Sequence, residues 1–295
     1  MASGYSASAD VAELVPEITL EADYIYQANA LGRQLVTVKD VSGQPGVAVE
    51  FPLFTAVSGS SGVAETGTPT SHQMDLSMQT LTVARRSVYT LLGDLAASGA
   101  SGALATQIGK AMGMAQAKMV DTSIFAILNG TTNWGTSAGA TDGSLTVTHV
   151  LAALLLLEIQ EIDESPRAVV HPLTFGKGLR TALTVTANDD GISVSAGEEM
   201  NKNASLGRQF GIDWFISPRC SLKTVTGTAN CYEGLLFVQS GIGYAVKTVV
   251  NGIEPDRMAP TAATGLIMNW YDSAAPIQKQ TTSYYGVASL YSSNA

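Results

Sequence analysis

Gly135-Thr136-Ser137-Ala138-Gly139 is the stretch of this sequence that comes nearest to a catalytic motif. It has the G-x-S-x-G spacing of a nucleophile elbow, in which a serine sits on a strained turn between a buried strand and a helix. The flanks do not supply that setting. Residues 129–134 and 140–143 are loop-forming runs of Gly, Asn, Thr and Asp, so Ser137 has no strand or helix to hold it. The histidines are His72, His149 and His171, and none pairs at the i, i+4 spacing of a helical metal site. His171, between a valine pair and a proline, reads as the end of a strand. His149 falls in the first turn of a helix and is expected in solvent, and His72 lies in a hairpin arm. Asp189-Asp190 and Glu198-Glu199 could face a divalent cation, but neither spacing matches a calcium loop, and both read as solvated loop. Gly241-Ile242-Gly243 opens no dinucleotide fingerprint because residue 246 is Val, and no phosphate-binding G-x-x-x-x-G-K-[ST] occurs. No catalytic residue, metal site or cofactor is assigned.

The elements that would have to position any such group lie in a chain of 295 residues and 30.7 kDa, long enough for a sizeable core. Its charged residues amount to 14%, against about a quarter in ordinary soluble domains. Gly, Ser, Thr and Ala fill the difference. A surface this poor in charge is expected to be covered by neighbouring subunits, since large permanent interfaces carry few charges. The net charge of −9 argues against tight sequence-independent binding to nucleic acid, because such binding rests on clustered Lys and Arg. Residues 1–10 lack the charged head and apolar core of a signal peptide. The apolar run 150–157 is far shorter than the roughly 18 residues a membrane span needs. The reading is of a soluble protein made inside a cell. Cys220 and Cys231 form neither a disulfide framework nor a zinc site.

Along the chain, residues up to about 34 read as an extended arm with a short helix. Leu35-Val36-Thr37-Val38 and the alternating 47–52 read as strands, as do 76–84. Between them, 58–73 is dominated by Gly, Ser and Thr. Residues 35–90 therefore read as a long hairpin whose ends lie in a body and whose tip needs a partner to lie on. Residues 100–128 predict a helix of roughly 40 Å, with Leu104, Ile108, Met112, Ala115 and Met119 on one stripe. Gly109 and Gly113 weaken it intrinsically, so close packing must compensate. A second helix is expected over 146–162, with Val147, Val150, Leu151, Leu154, Leu155 and Ile159 as its apolar face. A buried strand follows at 167–172, then a helix over 175–183 and an exposed loop over 185–206. Strands are expected at 210–216, 235–238, 266–270 and 284–291, with a short helix or turn at 240–246. Helix, strand and helix in close succession indicate an α/β subdomain.

The order of these elements resembles the major capsid proteins of tailed bacteriophages, which share the Hong Kong 97-type shell fold. Gly46, Val49 and Pro52 are similar to the Gly-x-x-Val-x-x-Pro strand of that family's extended loop. Val63-Ala64-Glu65-Thr66-Gly67 looks like its Gly/Thr-rich tip. The strand 81–86, ending in Arg85-Arg86, followed by Asp94 and the helix 100–128, looks like the rising limb and the spine helix. Asp121-Thr122-Ser123-Ile124 is similar to the Asp-x-x-Ile near the end of such helices, and 284–288 to the strand that closes the peripheral domain.

The resemblance implies an α+β fold with an N-arm at 1–35, an extended loop at 36–86, and a peripheral domain with the spine helix at 87–145. An axial α/β domain would take 146–250, and C-terminal strands of the peripheral domain 251–295. It implies a structural protein whose partners are many copies of itself as hexamers and pentamers. A separate scaffolding protein, a portal and a decoration protein would join it, with double-stranded DNA enclosed but not tightly bound and no membrane involved. The place expected is the virion capsid, assembled in the host cytoplasm. Glu65, Arg85 and Arg86 are the expected contacts between subunits, the two arginines repelling each other unless acidic groups of a neighbour lie close. Two rivals stand beside this reading: an encapsulin-like compartment enclosing an enzyme, and a serine hydrolase using Ser137.

Overall fold

The computed structural model describes residues 7–44, 46–54, 67, 76–93, 102–127, 138–139, 145, 147–159, 164–175, 208–220, 222–223, 231–248, 252–258, 263–277, 279–280, 283–284 and 286–293. The N-terminal segment is not the extended arm that its irregular pattern suggested. It is a 23-residue helix, α1 (Ala7–Asn29), which continues through Pro16. Its inward stripe is narrow, with Ile18, Ala22 and Tyr26 buried at successive i, i+4 positions. So slender a stripe stays helical because it has a partner of matching shape.

That partner is the spine helix, α3 (Gly102–Phe125), which lies within the expected 100–128. The two helices run parallel, and the glycines sit where they meet. A Cβ on Gly109 would lie 2.8 Å from the Ile18 carbonyl oxygen, and one on Gly113 2.4 Å from that of Ala22. The intrinsic cost of these glycines is offset by backbone contact that no larger residue would permit.

A short helix, α2 (Leu31–Leu35), leads from α1 into strand β1 (Thr37–Asp40). The hairpin then follows as β2 (Ala48–Phe54) and β3 (Leu76–Thr82), in register from Ala48 opposite Thr82 to Phe54 opposite Leu76. Val49 and Phe51 on one strand and Leu81 on the other point inward, packing with Val83 against Ala245 and Ile277. The base of the hairpin is thus anchored in its own subunit. Strand β4 (Ala84–Gly93) continues from it and pairs along its whole length with β13 (Ala263–Pro276).

β13 also pairs with β11 (Ile242–Thr248) and β12 (Ile253–Met258), and β1 adds in parallel to β11, giving a five-stranded sheet. The stretch 240–246, expected as a short helix or turn, divides here. Gln239–Gly241 is one 3₁₀ turn, and the strand β11 follows it. Gly243, within the strand, is there for space. A Cβ on Gly243 would come within 2.4 Å of the Ile277 side chain and 3.1 Å of the Phe51 ring.

The second sheet has seven strands. Its main path runs through β5 (Ala138–Gly139), β16 (Val287–Ser293), β10 (Cys231–Phe237), β6 (Arg167–Val170), β8 (Ile212–Ile216) and β7 (Arg208–Gln209), and β9 (Leu222–Lys223) pairs with β10. It is buried on both faces, which explains the unbroken apolar runs. Val169, Leu235 and Phe237 join the core beneath α1 and α3. Ala168, Val170 and Leu236 join another under α4 (Val147–Glu158).

These ladders divide the chain differently from the expected boundary at 250. β11, placed in the axial segment from sequence, belongs to the five-stranded sheet, and β16, placed in the peripheral one, belongs to the seven-stranded sheet. The reason is hydrogen bonding across long sequence separations: β16 pairs with β10 over seven positions, from Val287 opposite Phe237 to Ser293 opposite Cys231. The apolar face expected for α4 is also split. Val150, Ala153 and Leu157 are buried, while Leu151, Leu155 and Ile159 point outward with 45%, 55% and 69% exposure. After β6 the chain makes a single turn at Pro172–Thr174. The rest of the helix expected over 175–183, beyond Phe175, lies outside the described residues, as do the loop 185–206 and its two acidic pairs.

Candidate assembly surface

Arg85 and Arg86 stand at the start of β4, opposite Tyr271 and Trp270 of β13. Strand alternation sends their side chains to opposite faces. The Arg86 guanidinium donates through Nε to Asp272 Oδ1, in an ion pair within its own subunit. The acidic partner expected from a neighbour is therefore present in the same chain. Asp272 is 1% exposed and also accepts from the Tyr244 hydroxyl at 3.1 Å. Tyr244 is hydrogen-bonded in turn to Tyr26 of α1, and the Arg33 guanidinium lies 5.7 Å from the centre of the Tyr26 ring. Burial raises the pKa of the Asp272 carboxyl above its ordinary value, with Arg86 drawing it part of the way back. Burial likewise holds both tyrosine hydroxyls protonated. The chain of contacts ties the base of the hairpin to the N-terminal helix.

Arg85 is exposed, and its Nε and Nη2 reach the Asn269 amide oxygen at 3.2 and 2.9 Å. That contact orients the guanidinium without neutralising it. Nearby, a groove of about 620 Å³ runs between β4 and α3, lined by Arg86, Ala115, Lys118, Met119, Thr122 and Ala126 among others. Its lining is mostly apolar and carries two cations, Arg86 and Lys118. Glu65, the third residue expected at a contact, lies outside the described residues.

A second cluster forms around the Asp121-Thr122-Ser123-Ile124 motif, whose partners the sequence did not show. The buried Asp121 carboxylate of α3 accepts the Gly32 backbone N–H at 2.8 Å and Arg219 Nη1 at 2.6 Å. Burial raises its pKa, and these two donors oppose the shift. Ile124 lies against the same glycine, 3.0 Å from where a Cβ would stand. The Asp-x-x-Ile spacing thus brings a carboxylate and a methyl group to the start of α2. Asp272 could have been suspected as a single acid in an apolar run; Arg219 carried no comparable signal.

The candidates for chemistry are dispersed. His171 follows β6 as expected, with Nδ1 accepting from Leu173 N–H at 3.2 Å and its ring stacked on Tyr232 at 3.6 Å. Burial lowers its pKa. His149 is in the first turn of α4, half-buried rather than fully in solvent. Ser137 and His72 lie outside the described residues. Among the described residues no three His, Cys, Asp or Glu side chains gather as a metal site would require. No helix among them is long and apolar enough to cross a membrane.

A long helix laid on a sheet, an extended hairpin leaving that sheet, and a second sheet with its own helix define a shell-building subunit of the Hong Kong 97-type fold. Solved structures share this architecture. They include Mycobacterium phage Che8, at 15% identity over 83% of this chain and 84% of that one with a TM-score of 0.57. The mature capsid of bacteriophage PhiM1 aligns at 13% identity over 90% and 88%, with a TM-score of 0.62. A virus-like particle from Pyrococcus furiosus aligns at 8% identity over 94% and 98%, with a TM-score of 0.54. No curated protein matches the sequence. Residues 80–284 match the family model described as phage capsid protein, and the chain belongs to that family. It is a major capsid protein, a structural subunit of the icosahedral phage shell.

Proposed function

We propose that this subunit tiles the shell as hexamers and pentamers, and that the hairpin of each copy lies on the groove between β4 and α3 of the next. The observation that carries this reading is the pairing of an anchored hairpin base with a largely apolar groove holding two cations in the same subunit. An acidic chain offers the complementary charge, and Glu65, which falls between the two hairpin strands in sequence, is the group assigned to it. Arg85, exposed and without a carboxylate partner in the contacts above, stands on the opposite face of β4 from that groove and is the residue of the pair left to meet a second neighbour. Arg86 lines the groove itself, with Lys118. The subunit performs no catalysis. A separate scaffolding protein, a portal and a decoration protein complete the particle, which is assembled in the host cytoplasm. The net charge of −9 keeps the enclosed duplex from adhering to its container.

The test separates the two arginines. Arg85→Glu should leave the subunit folded, with an unchanged urea midpoint, yet unable to close shells seen by electron microscopy. Arg86→Glu should instead lower stability by about 3–5 kcal/mol, because it leaves Asp272 buried without its cation. Shells of normal yield from Arg85→Glu would remove that residue from the interface. The fold is shared with a virus-like particle, which keeps an encapsulin-like compartment as the second reading. Purified particles containing a protein cargo and no DNA would favour it.

A further inference from the structure

We infer that the short helix Leu31–Leu35 acts as a strap that fixes the angle between the two sheets, with Asp121, Arg167 and Arg219 as its positioning residues. Both arginines belong to the seven-stranded side, Arg167 opening β6 and Arg219 following β8. Both reach the strap. Arg219 holds Gly32 through Asp121. Arg167 donates from Nη1 to the Leu35 carbonyl oxygen at 2.8 Å, and from Nη2 to Gln239 Oε1 at 3.0 Å.

Gln239 lies in the turn where the chain passes from β10 in one sheet to β11 in the other. That turn is pinned from both sides. The Thr37 hydroxyl, just beyond the strap, donates to the Gln239 carbonyl oxygen at 2.9 Å, and Ser240 N–H donates to Glu164 Oε2 at 3.1 Å. Among the described residues, these polar contacts between the sheets converge on two short segments.

The apolar core beneath α1 and α3 also spans both sheets, but apolar contact is non-directional and tolerates sliding. Charge-assisted hydrogen bonds to backbone atoms prescribe direction as well as distance. An open crevice of about 270 Å³ at the junction, bordered by Thr37, Glu164, Arg167 and Gln239 among others, leaves room for the sheets to tilt if these bonds are released. In a closed shell the angle within each subunit is repeated in every copy, so a small spread in it becomes a spread in curvature. This last step rests on the shell-building reading.

Hydrogen–deuterium exchange of the full chain tests the strap without assembly. In Arg167→Gln/Arg219→Gln, amides of 32–37 and 238–241 should exchange about tenfold faster or more, while those of 266–270 in mid-sheet keep their wild-type rates. Exchange at the strap and turn unchanged from wild type would overturn the inference, as would an equal rise throughout both sheets. Electron microscopy then reads curvature: the variant should form shells of mixed diameter where the wild type forms one. A single wild-type diameter would overturn the role in curvature. If the double variant does not fold, Arg167→Lys, which keeps the charge and loses the fork, gives the same two readings. Failure of the wild type to form any shell would count against the assembly reading, and the exchange result decides the strap regardless.

Discussion

Asp272 is a carboxylate on a buried strand, and its neighbours decide what it does there. Arg86 and Tyr244 hold it, and burial raises its pKa. A folded-state pKa above the unfolded one means that the folded subunit takes up this proton first as pH falls. Acidification therefore adds stability through this group until the unfolded chain's carboxylates protonate too. Compared with Asp272→Asn, where nothing titrates, the wild type should gain in urea midpoint from neutral pH down to about pH 4 and then level off. A difference between the two that stays flat over that range would mean that Arg86 fully compensates burial. The two adjacent arginines were legible in the sequence as a paired feature. Their opposite fates were not, because the partners of both lie more than 180 residues away, on a strand that pairs only in the folded sheet.

At the scale of elements, the parallel contact of α1 and α3 is decided by backbone, not by large side chains. Gly113→Ala sets two effects against each other. Helix propensity alone favours Ala by about 1 kcal/mol. The new methyl group, however, would lie 2.4 Å from the Ala22 carbonyl oxygen, and neither helix backbone can move aside without disturbing the core. Overpacking costs typically about 1–3 kcal/mol, so net destabilisation by urea titration is expected. A stabilised variant would show that the helices separate freely. The spine helix was legible because its stripe, Leu104, Ile108 and Met112, has the right period. α1 was missed because Pro16 and the small Ala22 hide a stripe whose meaning depends on the glycines of its partner.

For the whole molecule, scarce charge and surplus apolar surface point the same way. Leu151, Leu155 and Ile159 make a stripe on the outer side of α4, and Leu20 and Tyr24 are 74% and 70% exposed on α1. A helix apolar on all sides expects cover on all sides. Free subunits should therefore enhance the fluorescence of an apolar dye, and assembled shells should do so less per subunit. Leu155→Gln should weaken the dye signal of the free form while leaving its unfolding midpoint unchanged. An equal signal per subunit before and after assembly would show that these faces remain open in the shell. The sequence by itself determined the class of molecule through a resemblance in the order of its elements and in short motifs, which are properties of the chain read in one direction. It determined the spine helix, the hairpin and the both-sides-buried strands for the same reason. Tertiary structure alone decided which strands share a sheet, which arginine pairs with a buried carboxylate and which is free to meet a neighbour, and where the two sheets are strapped together. Each of those rests on pairs of residues far apart in the chain, and no local pattern encodes a hydrogen bond whose acceptor lies a hundred residues away.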